Sequence, residues 1–247
     1  MSNQATDPIR RILAAALLVF PGVFVLVFIM HFHHLSDLLH FRSHYEPPTP
    51  DRLGRQVAML IAAHNNWPML HDPHMLAYLF LPVFPLCAFA LYVLGRRARP
   101  MASAITMMIT VTGTIYMGGL FGMWTNFFRS FGLVDPSQQA GATATFVALT
   151  TPQGPFYFTT MMAKLTMIGL AAQALTLWGT NVAPRWAILC VAVGTLMFLA
   201  FWDLDNWMMI ATLLMLAGFF PMRRALLNPA NDDRGGQVSV EGSASSA

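Results

Sequence analysis

Six stretches of the chain stay apolar for nearly the length of a bilayer crossing. A helix through the hydrocarbon core needs about 20 such residues, within a range of about 17–25. The stretches are 12–32, 75–95, 102–125, 156–178, 186–202 and 207–222. Pro21 and Gly22 lie inside the first, and Pro82 and Pro85 inside the second. The last two are short, and Asp203-Leu204-Asp205-Asn206 between them reads as a tight turn. The pattern predicts an all-α polytopic membrane bundle of six helices, forming one domain over residues 1–227. Two longer polar intervals interrupt it, at 33–74 and 128–155. The first holds an amphipathic stretch over 53–64, preceded by Pro47, Pro48 and Pro50. In the second, Asp135-Pro136 forms an N-cap and N1 pair ahead of a small-residue helix around 139–149. The segment 228–247 is rich in Gly, Ser and Asp and is expected to be a disordered cytoplasmic tail.

Composition agrees with this reading. Of 247 residues, 56% are hydrophobic and 10% charged, too few charges to cover a water-exposed surface. That excludes a soluble globule and a nucleic-acid binder. The net charge of +3 arises from 13 Arg and a single Lys, and their positions matter more than their sum. With six spans both termini share a side, which then carries Arg10, Arg11, Arg96, Arg97, Arg99, Arg185, Arg223, Arg224 and Arg234. The other side has Arg42, Arg52, Arg55 and Arg129. The positive-inside bias places both termini in the cytoplasm and the two long loops outside; the organisation resembles that of bacterial multi-pass proteins, so the expected location is a cell membrane, a bacterial inner membrane. Trp124, Trp202 and Trp207 fall at outer ends, and Trp178 and Trp186 at inner ends. Arg10 and Arg11 before an apolar run could mark a signal peptide, but the run is long and lacks a small-x-small cleavage site, so it reads as a retained helix.

All eight histidines, His31, His33, His34, His40, His44, His64, His71 and His74, fall within one interval of the chain. If the first helix continues outward, His33, Asp37, His40 and His44 stand at i, i+4, i+7 and i+11, an arc of about 60°. Three imidazoles and a carboxylate on one face are a ligand set for Fe, Cu or Zn. His64, His71 and His74, on the far side of the loop, could close over that face. The competing reading is an interfacial histidine cluster with no metal, or a pH-sensitive surface.

Part of this stretch resembles the histidine boxes of membrane desaturases and hydroxylases, which hold a diiron site. His40-Phe41-Arg42-Ser43-His44 has the H-x3-H spacing, and His33-His34 supplies an adjacent pair. The likeness covers about a dozen residues and departs from the family elsewhere. There is no clear H-x2-HH box, the later spans hold no histidine, and the cluster falls outside rather than in the cytoplasm. The family is therefore not assigned.

Lys164, the single lysine, lies eight residues into the fourth stretch, about 12 Å from its outer end. An intramembrane charge is costly and asks for a partner; Asp203 and Asp205 are the available anions. A structural ion pair or an outward-snorkelling lysine is the plainer reading. A retinal Schiff base on Lys164 does not suit six spans. Gly118-x-x-x-Gly122 permits close helix approach within the bundle. The 18 Met residues form no outward Met-x-x-Met array and read as packing. No Gly-rich phosphate loop, Gly-x-Ser-x-Gly elbow or Cys-x-x-Cys pair occurs.

Three functions follow as expectations. The first is a metal-dependent membrane oxidoreductase or hydroxylase acting on a lipophilic small molecule that enters from the bilayer next to Met30. The second is a non-catalytic membrane subunit or metal-handling accessory protein whose outward loops dock on a membrane-protein partner. The third is a small transporter using Lys164 with Asp203 or Asp205 as a coupling pair.

Overall fold

The computed structural model describes residues 7–31, 49–62, 73–151, 154–201 and 205–228. Among them all regular structure is helical, in ten α-helices. These are α1 (Pro8–His31), α2 (Pro50–Ala62), α3 (Pro73–Leu79), α4 (Val83–Gly95) and α5 (Pro100–Phe131). They continue with α6 (Gln139–Thr150), α7 (Pro155–Ala163), α8 (Leu165–Thr176), α9 (Arg185–Ala200) and α10 (Asp205–Leu227). Four segments are long and apolar enough to cross a membrane, namely Pro8–Met30, Pro100–Asn126, Pro155–Thr176 and Asn206–Leu227. Val83–Gly95 and Arg185–Ala200 are shorter apolar helices. The described residues thus form an all-helical bundle with four helices suited to crossing a membrane.

Local chemistry sets the element ends. α1 begins four residues before the apolar stretch because Pro8 suits the first helical position and the Asp7 carboxylate accepts the Ile9 N–H at 3.0 Å. The second apolar stretch, expected as one helix, is two. Pro82 and Pro85 have no N–H to donate, and the chain turns through Phe80–Pro82 on i→i+3 bonds. The Leu81 N–H donates to the Tyr78 carbonyl and the Val83 N–H to the Phe80 carbonyl. Conversely, α5 runs six residues past the third stretch, carrying Phe131 beyond the apolar window. The fourth stretch keeps its length but tightens at Lys164, which separates α7 from α8.

The interior shows how such helices associate. Lipid tails are as apolar as side chains, so burial alone does not draw helices together in a bilayer; close contact and small residues do. α5 and α8 cross where Gly113 faces the Leu165–Thr166 backbone and Gly169 faces the Thr110 backbone. An added Cβ at Gly113 would stand 2.1 Å from the Thr166 nitrogen, and one at Gly169 2.6 Å from the Thr110 nitrogen. α9 and α10 repeat the device. Gly194 faces the Ala211 carbonyl and Gly218 the Ala187 carbonyl, each at 2.5 Å from the added Cβ. Elsewhere aromatic rings fill the seams. Phe20, Phe24 and Phe28 form an i, i+4, i+8 stripe on α1. Phe20 meets Phe84 at 4.2 Å between centroids, and Phe24 and Phe28 meet Phe198 at 5.5 and 5.8 Å.

Outside the bundle, α2 and α6 pack together over the end of α5 as a small cap. Its core is Leu53, Val57 and Ile61 of α2, Phe146 of α6 and Phe131 of α5. The i, i+4, i+8 spacing on α2 is the amphipathic pattern visible in the sequence. Asp135 accepts from the Ser137 N–H at 2.8 Å ahead of Pro136, opening a 3-10 turn (Pro136–Gln138) that leads into α6. Trp124 joins cap and bundle, meeting Phe146 edge-on at 5.6 Å and stacking on Phe156 at 5.4 Å.

Candidate functional site

The turn between α3 and α4 leans on α5 where side chains are smallest. Gly118 faces Leu81, and Gly122 lies beneath the Tyr78 ring, 3.3 Å from its nearest ring carbon by an added Cβ. The spacing read from the sequence as a packing motif thus seats the broken span against α5. Packing there is incomplete. An open groove of about 1040 Å³ runs between Tyr78, Leu79, Leu81 and Pro82 on one wall and Gly118, Gly119, Gly122 and Met123 on the other. Asn126 and Ser130 complete its lining toward the cap. A long apolar trough with a few polar groups at one end suits an amphipathic molecule more than a small polar one.

The groove borders the histidine-rich interval. α3 begins at Pro73, so His74 occupies its first turn, one helical turn from Tyr78. α1 ends at His31, and α3 packs against α1. The helices that flank the histidine-bearing interval are therefore neighbours in the bundle. The expected ligands His33, Asp37, His40, His44, His64 and His71 lie outside the described residues. His74 is placed on α3, without a description of its side chain. Among the described residues no three of His, Cys, Asp and Glu come together as a metal-ligand group.

Lys164 sits at the α7–α8 junction, half-buried, one residue before the Gly113 crossing. Its expected partners are not described: Asp203 lies outside the described residues, and Asp205 opens α10 with its side chain likewise outside. Polar groups do collect deeper along α5 and α8. The Gln173 side chain is buried, donates to the Ala88 carbonyl at 2.8 Å and meets the Thr110 hydroxyl at 2.9 Å. Thr110 and Thr114 also bond back to the carbonyls of Thr106 and Thr110. Gln173 thus ties α4, α5 and α8 together, a role that sequence reading missed; a lone amide in an apolar run was its only signal. The buried Cys87 thiol donates to the Ala16 carbonyl at 3.0 Å and serves packing between α1 and α4.

No protein-family model matches the chain, and neither does any curated protein or solved structure.

Proposed function

We propose that this is a six-span membrane protein with both termini in the cytoplasm and an outward site that binds a transition metal through its histidine-rich interval. In this reading His33, Asp37, His40 and His44 hold Fe, Cu or Zn, with His64, His71 or His74 closing the site. A lipophilic substrate lies in the groove between the α3–α4 turn and α5, and the protein is an oxidoreductase or hydroxylase. The observation that supports this most is the position of His74 on the helix that forms the groove wall. A molecule resting there would reach the histidine-bearing segment without leaving the bilayer edge. The metal would polarise an oxygen species or activate water. The α4 and α9 helices are short for crossings, but α3 and α4 together run from Pro73 to Gly95, long enough to span if slightly bent.

Metal content of the detergent-purified full-length chain tests the site. Wild type should carry near-stoichiometric metal that a His33→Ala/His40→Ala/His44→Ala variant loses. Metal-free wild type that cannot be loaded with Fe, Cu or Zn would sink the reading.

One observation favours the transporter as second reading. Two candidate spans are irregular, at Phe80–Pro82 and at Lys164, and both pack on α5. Interrupted helices at membrane depth are common where transporters bind their cargo. Lys164→Met would then abolish flux in reconstituted vesicles, and unchanged flux would dispose of it.

A further inference from the structure

The end of the bundle opposite the cap gathers its arginines. The α4 end, the start of α5 and the end of α8 meet there, since an added Cβ at Gly95 would reach Ser103, Thr176 and Leu177. The start of α9 and the end of α10 meet likewise through Ala187 and Gly218. Arg10, Arg11, Arg96, Arg97, Arg99, Arg185, Arg223 and Arg224 all lie on elements ending at this face, and Asp7 is the one described carboxylate among them. A cationic rim attracts anions in general. Two of these guanidiniums go further, because both touch one tryptophan.

The Arg99 Nη2 donates to the Trp178 carbonyl at 3.1 Å. The Arg185 guanidinium lies over the Trp178 ring, 5.7 Å from its centroid. Arg99 comes from the α4–α5 connection, Arg185 from the first turn of α9, and Trp178 from the turn that follows α8. Both arginines are exposed, so each keeps donors for a ligand. Pro184 precedes α9 without a side-chain cap, leaving positive backbone potential at the same place. Large apolar side chains are exposed on the same elements: Met101 is 73% exposed, Trp186 54% and Leu189 45%. Tryptophan rings at this level sit among headgroups.

We propose that Arg99 and Arg185, both in contact with Trp178, bind the phosphodiester of an anionic phospholipid whose acyl chains lie along Trp186 and Leu189. Two forked guanidiniums match phosphate oxygens in a way that ammonium groups do not. The anchored pair also loses less side-chain freedom on binding than free surface arginines would.

Native mass spectrometry of the delipidated full-length protein in mild detergent tests this, titrating phosphatidylglycerol, phosphatidylcholine and inorganic phosphate separately. Wild type should bind the first lipid at least tenfold tighter than the second. Arg99→Gln/Arg185→Gln should lose that preference, whereas Arg96→Gln, which removes one charge from the same end but not from the pair, should keep it. Equal binding of both lipids to wild type, or a preference surviving in the double variant, would overturn the proposal. So would displacement of phosphatidylglycerol by millimolar phosphate, which would mark a soluble-anion site. If the glutamine variant does not fold, Arg99→Lys/Arg185→Lys retains the charge and loses the forks. Its preference should then fall several-fold, and an unchanged one would refute the pairing.

Discussion

Adding a single methyl group should have opposite effects at two kinds of glycine in this bundle. In a helix, Gly→Ala ordinarily stabilises by about 0.5–1 kcal/mol, because alanine has less freedom to lose. Gly22 in α1 has nothing within 4 Å of an added Cβ, so Gly22→Ala should show that gain. At Gly113 the same atom would lie 2.1 Å from the Thr166 nitrogen and 2.6 Å from the Leu165 carbonyl carbon. Backbone cannot rotate away as a side chain can, so α5 and α8 must part by more than about 1 Å to reach ordinary van der Waals contact. Overpacking of that kind costs about 1–3 kcal/mol, exceeding the propensity gain. Gly169→Ala meets the Thr110 backbone and should cost a similar amount. Because one separation of the helices relieves both clashes, the double variant should lose less than the sum of the two. Reversible unfolding of purified protein in mixed micelles, followed by tryptophan fluorescence, gives the four free energies. Gly113→Ala as stable as wild type, or strict additivity of the pair, would refute the close-crossing argument.

Three further outcomes follow from the same structure. Gln173→Leu leaves the Ala88 carbonyl and Thr110 without their shared partner and should cost about 0.6–1.7 kcal/mol in the same unfolding assay, the range of interhelical bonds in membranes; a stabilised variant would contradict the tie between α4, α5 and α8. Phe146→Ala removes the ring at the centre of the cap and should cost about 3–5 kcal/mol locally. Hydrogen exchange should then quicken across Pro50–Ala62 and Gln139–Thr150 while the bundle stays protected, and uniform quickening would mean that cap and bundle unfold as one. The Ser137 hydroxyl and N–H donate to Asp135 and hold its carboxyl below the usual value. A lowered folded-state pKa contributes stability above the unfolded value, about pH 4, that disappears as pH falls through the folded one. Exchange at the start of α6 should therefore rise on acidification below about pH 4 in wild type but be pH-independent there in Asp135→Asn beyond the intrinsic chemistry.

The bundle is legible in the sequence because an apolar run of bilayer length has hardly any stable home except a membrane. The helices α2 and α6 are legible too, through the period of Leu53, Val57 and Ile61 and through Asp135-Pro136. That those two helices pack on each other is not, since the contact joins residues far apart in the chain. The interruption at Phe80–Pro82 was visible only as two prolines in an apolar run, and proline bends as well as breaks membrane helices. The groove needed two signals at once, those prolines and the Gly118–Gly122 cluster, and nothing in one dimension pairs them. Gly113, Gly169, Gly194 and Gly218 show the same limit: each glycine is plain in the sequence, and what it touches is not. The histidine interval is clear in the sequence, but its expected ligands fall outside the described residues apart from the placement of His74 on α3.

Helix α5 is unbroken for 32 residues, about 48 Å of rod at the usual rise, against a hydrocarbon thickness of about 30 Å. Its far end must either tilt steeply or stand proud of the bilayer, carrying Phe131 to where water would meet it. The cap is then not an ornament on a loop but a roof that this length requires. A chain that inserts correctly yet fails to seat α2 and α6 would present Phe131, Phe146 and Trp124 as one sticky aromatic patch. Aggregation during production of the protein is therefore expected to start at the cap, and a folded cap is a sensible quality check before any functional assay.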